Sequence, residues 1–150
     1  MAVVDKRIGA PGTKMPFGAG GQGFVLRRKF DFESVPAGSG DTIQMLDIPI
    51  NTHVLAVNVN ITQVEDSTAV CSVGDGNDAG VAVQSDAFMA GVDLEVLGMS
   101  SSKTHNSAGY NEVAPVGHGK AFTAAGVIQL LLSAACDTAK GEVSAICIPM

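Results

Sequence analysis

Three histidines, His53, His105 and His118, and three cysteines, Cys71, Cys136 and Cys147, are the side chains best suited to acid–base, nucleophilic or metal chemistry in this sequence. Histidine offers a base near neutral pH and a metal-binding nitrogen, and a thiolate can attack or ligate. Their spacing argues against both uses. The histidines stand 52 and 13 residues apart, with none of the short spacings that bring paired ligands to one metal. His105 lies in a polar, serine-containing stretch, yet no G-x-S-x-G elbow exists to present a nucleophile. His53 falls in register with apolar neighbours and reads as a core or interface histidine. The cysteines are odd in number, form no C-x-x-C pair and sit among small apolar residues, which predicts buried free thiols. A turn near Asp137–Lys140 sets Cys136 opposite a residue near 141, well short of Cys147, so a cross-hairpin disulfide between those two is not expected.

Glycine-rich motifs fare no better. Gly18–Gly23 matches G-x-G-x-x-G, but a pyrophosphate loop needs a strand before it and a helix after it. Here irregular sequence precedes it and a run rich in Phe and Arg follows. Gly117–Lys120 (GHGK) resembles the end of a P-loop, but Ala114 stands where the first glycine belongs and Ala121 replaces the magnesium-holding hydroxyl. Asp75, Asn77 and Asp78 crowd one turn as calcium ligands would, without the EF-hand spacing or its glutamate. Asx residues also build turns by bonding their own backbone. The sequence therefore predicts no catalytic residue, no cofactor site and no metal site. Asn60–Thr62 is a formal glycosylation sequon, without meaning in the absence of a secretory signal.

Scattered groups of this kind need a scaffold, and its pattern is mostly of period two. Residues 1–23 are glycine-rich, include two prolines and lack periodicity, which predicts an extended arm ordered only where it touches something. From Phe24 the chain alternates, with Phe24, Leu26, Phe30 and Phe32 on one face and Val25, Arg27, Lys29 and Asp31 on the other. Pro36–Asp41 reads as a turn, and Ile43–Ile48 as a strand ended by Pro49. Thr52–Thr62 is the clearest strand, with His53, Leu55, Val57, Val59 and Ile61 on its apolar face. Thr68–Val73 is expected as its hairpin partner across Glu65–Ser67. Gly74–Gly80 reads as a long turn, Val92–Leu97 as a strand and Ser100–Asn111 as a loop. Ala124–Ala135 fits a helical stripe, but Gly126 at its start and the turn at Asp137–Gly141 favour a strand, with Val143–Ile148 as its partner. Ile128, Leu130 and Leu132 then face inward opposite Val127, Gln129 and Leu131. Strands at this spacing predict an all-β sandwich or barrel of about eight strands over residues 24–150, with residues 1–23 as its arm.

Charge is unevenly spread. Residues 1–40 carry six Lys or Arg against three acids, and the remaining 110 carry three bases against twelve acids, within a net charge of -6. A basic front and an acidic body suit contacts between neighbouring subunits. They do not suit nucleic acid, which wants a basic patch with interleaved aromatics. Nothing resembles a signal peptide or a membrane span, so synthesis in a cytoplasm without membrane insertion is expected.

The stretches GDTIQMLDIPINTHVLAVNVNIT, SVGDGNDAG and FTAAGVIQLLLSAACDTAKGEVSAICI resemble, in order over residues 24–148, small structural proteins of tailed-bacteriophage virions, of the capsid decoration (cement) type. The resemblance implies a non-enzymatic, jelly-roll-like antiparallel β-sandwich, usually trimeric, on the exterior of a capsid shell, with itself and the major capsid protein as partners. A head fibre, a tail component or a carbohydrate-binding adhesive module is the alternative, the last disfavoured by the scarcity of aromatics beyond Tyr110 and six Phe. Within this reading Lys6, Arg7, Ile8, Lys14, Met15 and Phe17 would let the arm bind a partner. Val54, Leu97, Val127 and Leu131, on faces opposite the expected core, would pack subunits together.

Overall fold

Alternating side chains turn most of the chain into strands. The computed structural model describes residues 3–4, 23–76, 82–102 and 119–150. Among these the strands are β1 (Val3–Val4), β2 (Phe24–Asp31), β3 (Thr42–Ile48), β4 (Thr52–Gln63), β5 (Val70–Gly76), β6 (Ala82–Asp93), β7 (Gly98–Ser101), β8 (Lys120–Phe122), β9 (Gly126–Leu132) and β10 (Lys140–Pro149). One sheet runs β2-β10-β4-β7, with β8 also on β4, and the other runs β1-β3-β9-β5-β6. Every pairing is antiparallel except β1 with β3. With the short β1 and β8 set aside, one sheet reads first, eighth, third, sixth and the other second, seventh, fourth, fifth. That is jelly-roll order, the form of sandwich that the family resemblance implies.

The core lies between the sheets. Leu26, Phe30, Val57, Val59, Ile61 and Val143 meet Ile43, Leu46, Val73, Ile128, Leu130 and Leu132 from the facing sheet, all buried. Each such large side chain contributes roughly 1.5–3 kcal/mol on burial, most of it offset by chain entropy. Phe30 and Phe32 stack with ring centroids 5.0 Å apart. All three cysteines are free and buried. Burial pushes each thiol up to about 12, helped at Cys71 by Cys136 and at Cys136 by Glu65 and Asp137, so they remain protonated packing groups.

Pairing departs from sequence adjacency at two places, and two elements differ in extent. The strand after β4 is not its hairpin partner: β5 crosses to the other sheet and lies between β9 and β6. Likewise β10 does not pair with β9 but inserts between β2 and β4. The strand expected at Val92–Leu97 is the tail of β6, which ends at Asp93 and leaves Leu97 in the turn before β7. Of the turn expected at Gly74–Gly80, Gly74, Asp75 and Gly76 belong to β5, and the rest lies outside the described residues. Local alternation cannot report these choices, since a strand pairs equally well with any neighbour that covers its apolar face.

A bulge changes which face of β4 is inside. Ile146 of β10 faces Ala56, but the next residue, Cys147, faces Val54, which leaves Leu55 unmatched. An extra residue reverses the parity of the strand. Val57, Val59 and Ile61 therefore point into the core as their alternation implies, whereas before the bulge it is Thr52 and Val54 that are buried. His53 and Leu55 are half-buried instead.

Glu65 ties two of the inter-sheet crossings together, those after β4 and after β9. It follows β4, is 3% exposed, and its carboxylate accepts the backbone N–H groups of Asp137, Thr138 and Ala139 at 3.2, 3.2 and 2.9 Å. Its own N–H donates to Leu94 O at 2.9 Å, just beyond β6. Burial alone would raise the Glu65 pKa, but the three N–H bonds together outweigh it and hold the group below its ordinary 4.5. We predict that Glu65→Ala, which strands one buried and two partly buried donors, lowers unfolding stability by about 2–4 kcal/mol in denaturant melts, and that Glu65→Gln costs less. Because the folded pKa is depressed, this stability is fully present above pH 4.5 and is lost as pH falls through the folded value. The acid limb of stability against pH should therefore be shallower in Glu65→Ala. An unchanged limb would remove Glu65 from this role.

Candidate functional site

The sequence motifs land in structural roles wherever they are described. Gly23 leads straight into β2, so a strand and not a helix follows the G-x-G-x-x-G run. Gly119, at φ 73°, fits against β4 so closely that a Cβ would overlap the carbonyl oxygen of Val54. That close approach explains a glycine in the GHGK sequence. Lys120 then opens β8 and forms an ion pair with Asp75 of β5, which joins the two sheets. Its ammonium also sits 5.0 Å from the centre of the Phe122 ring. Asp75 is buried and engaged in this pair, while Asn77 and Asp78 lie outside the described residues. His53 is half-buried on β4 opposite Ala121. His105 and His118 lie outside the described residues.

Two open clefts flank these groups. The smaller, about 270 Å³, runs past Asp75, Lys120 and Phe122 to Gly126. The larger, about 490 Å³, lies on the outer face of β2, β10 and β4 among Lys29, Asp31, Asn60, Lys140 and Glu142. Its charges are matched across strands: Lys29 stands opposite Glu142 and Asp31 opposite Lys140. Lys140 reaches Asp31 at 3.8 Å and pairs with Glu33, whose hydrogen bond raises the lysine's pKa. Exposed pairs of this kind contribute little to stability. They do make this face polar and electrically balanced.

The exposed apolar side chains gather elsewhere. Val25, Ile50, Ile146 and Met150 lie at one end of the sandwich, and Val64, Val96, Leu97 and Met99 at the other. Of the four interface residues expected from sequence, Leu97 is 62% exposed and Leu131 half-buried. Val54 and Val127 are 0% and 1% exposed, so neither has free surface to give a neighbour. Val54 turns inward through the β4 bulge. Val127 does lie opposite the core on β9, but that strand is central in its sheet and buried over almost its whole length. The arm residues Lys6, Arg7, Ile8, Lys14, Met15 and Phe17 lie outside the described residues. Of the arm, Val3–Val4 pairs with Thr42 and Ile43.

Val96 and Met99 were missed by the sequence reading. The available signal was the apolar run Val96, Leu97, Gly98, Met99, too close to a turn to be covered on every side. Beside it, the carboxylates of Glu65, Asp66 and Asp137 converge within 4.8 Å. Glu65 is already committed to three N–H groups, while Asp66 and Asp137 are exposed. The Asp66 charge, ahead of burial, raises the pKa of Asp137.

With this geometry in hand, solved structures can be compared. A chain in the capsid of Ralstonia phage GP4 superposes with a TM-score of 0.70 over 99% of each chain at 10% identity. The chain shares its fold with phage capsid components. A chain of the cyanophage Pam1 capsid asymmetric unit gives 0.57 at 13% identity, covering 96% of this chain and 93% of that one. One from the acid-stable capsid of Helicobacter pylori bacteriophage KHP30 gives 0.53 at 14% identity, covering 84% and 86%. No family model matches the sequence, and no curated protein matches it.

The inter-sheet ion pair yields a prediction for this half of the molecule. Asp75→Ala leaves Lys120 partly buried without its carboxylate and should cost about 3 kcal/mol, whereas Asp75→Val combined with Lys120→Met should recover most of that loss. The check is a double-mutant cycle by denaturant unfolding. Additive losses would show that the two charges do not act as a pair.

Proposed function

We propose that this chain is a non-enzymatic virion structural protein that decorates or cements the exterior of a phage capsid shell, as a homotrimer in contact with the major capsid protein. The observation that carries the reading is the full-length likeness to a chain of the Ralstonia phage GP4 capsid, 99% of each chain. Two further capsids contain the same architecture. The physics of the surface supports it. One face of the sandwich is polar with its charges matched, while apolar side chains are exposed at both ends, where subunits can pack without unpaired charges. Residues 1–23 act as an arm and residues 24–150 as the sandwich domain, the arm binding a neighbour through Ile8, Met15 and Phe17 and the cations Lys6, Arg7 and Lys14.

Two measurements test this. Light scattering on the purified chain should give three subunits per particle, and a monomer at tens of micromolar would remove the trimer. Phage heads lacking the protein should bind it in a sedimentation assay. Deleting residues 1–20, which removes only the two paired residues of β1 from the described sheets, should leave the melting temperature nearly unchanged but weaken head binding. Added salt should weaken binding of the full chain too. Equal binding by the truncated chain would move the anchoring surface onto the sandwich.

A further inference from the structure

The end of the sandwich beyond β4 and β6 combines two features that single-chain stability does not ask for. Val96, Leu97 and Met99 are 59%, 62% and 68% exposed beside the edge strand β7. An apolar edge strand left open invites association, and proteins usually blunt it with lysine or proline. Among the described residues the flanking charges are acidic instead. Glu95 precedes the apolar run, and the Val64–Asp66 segment is fastened to the same turn by the Glu65 N–H to Leu94 O bond. Asp137 is brought alongside Asp66 by the bond from its N–H to the Glu65 carboxylate. Lys140, at the start of β10, is taken up by Asp31 and Glu33.

We infer that this acid-rimmed apolar face, formed by Val96, Leu97 and Met99 with Asp66, Glu95 and Asp137, receives the N-terminal segment of a second copy of the chain. The occupant follows from charge and apolar complementarity. Residues 6–17 supply Lys6, Arg7 and Lys14 for the acids and Ile8, Met15 and Phe17 for the apolar surface, with no acid among them. A chain's own segment is the poorer candidate. β1 runs parallel to β3 from Thr42 toward Ile43, away from this end, and Gly23 enters β2 at the opposite end beside Cys147. Both attachment points thus lead away from the face. The inference rests on the self-assembly part of the proposed function and names its contact.

The test mixes two full-length variants, Ala10→Cys and Val96→Cys, each carrying one new thiol, while the buried native cysteines stay silent. Mild oxidation of the mixture should give a disulfide-linked heterodimer, suppressed by high salt. Sedimentation velocity should show at least tenfold weaker self-association for Lys6→Glu/Arg7→Glu. Asp66→Lys/Asp137→Lys should be weakened similarly, and mixing the two charge-reversed chains should restore association. Melting curves of each variant keep loss of fold distinct from loss of contact. Val96→Cys homodimers alone would mean that the face packs on itself, and unchanged self-association in both charge variants would leave it no role between copies. Either result overturns the inference. Head binding, measured separately, can persist in both cases, so the two failures can be told apart.

Discussion

A buried carboxylate holds the connections on which this jelly roll depends. In a two-sheet sandwich of this order most connections carry the chain from one sheet to the other, among them those after β4, β6 and β9. Each crossing exposes backbone donors where no ladder can satisfy them, and a buried donor left unpaired costs as much as a lost hydrogen bond. Glu65, on the crossing after β4, accepts three N–H groups of the crossing after β9 and through its own N–H fastens the turn after β6. One side chain thereby sets the spacing of three connections. At the other end Lys120 and Asp75 join the sheets by charge. Between these ties the core needs only shape and apolarity, which is why three protonated thiols can serve in it as small packing groups.

This division of labour leaves the surface free to carry function. The outer face of β2, β10 and β4 is a grid of cross-strand pairs in which Lys29 meets Glu142 and Asp31 meets Lys140. Such a face is well solvated and self-satisfied. The ends differ, because loops and strand termini there leave apolar side chains beyond the reach of either sheet. The fold that carries this surface is shared with chains of three phage capsids.

Much of the architecture was legible one strand at a time. The alternation of Leu26 and Phe30 against Arg27 and Lys29 marks β2, and that of Val57, Val59 and Ile61 marks the inward half of β4. Gly126 and the turn at 137 to 141 separated a strand from a helix at β9. The interface candidates were legible only in part. Leu97 stands out as an apolar residue in a turn, but Val54 was misassigned because a bulge at Leu55 reverses parity, and nothing in the local sequence announces a bulge. Val127 was assigned to the correct side of its strand and the wrong environment, since alternation reports a face and not whether that face is covered.

By itself, then, the sequence determined that the chain is all-β, where β2, β3, β4, β5, β9 and β10 lie, that its thiols are packing groups and that its charge divides into a basic front and an acidic body. Those properties follow from period, composition and turn chemistry within a few residues of each position. Only the tertiary structure decided that β5 leaves β4 for β9, that β10 inserts between β2 and β4, and that Glu65 binds a turn more than seventy positions away. It alone brought Asp66 and Asp137 together beside Val96, Leu97 and Met99. The reason is physical: strand pairing and carboxylate bonding are satisfied by any partner of suitable geometry, so the choice among partners belongs to the packing of the whole chain.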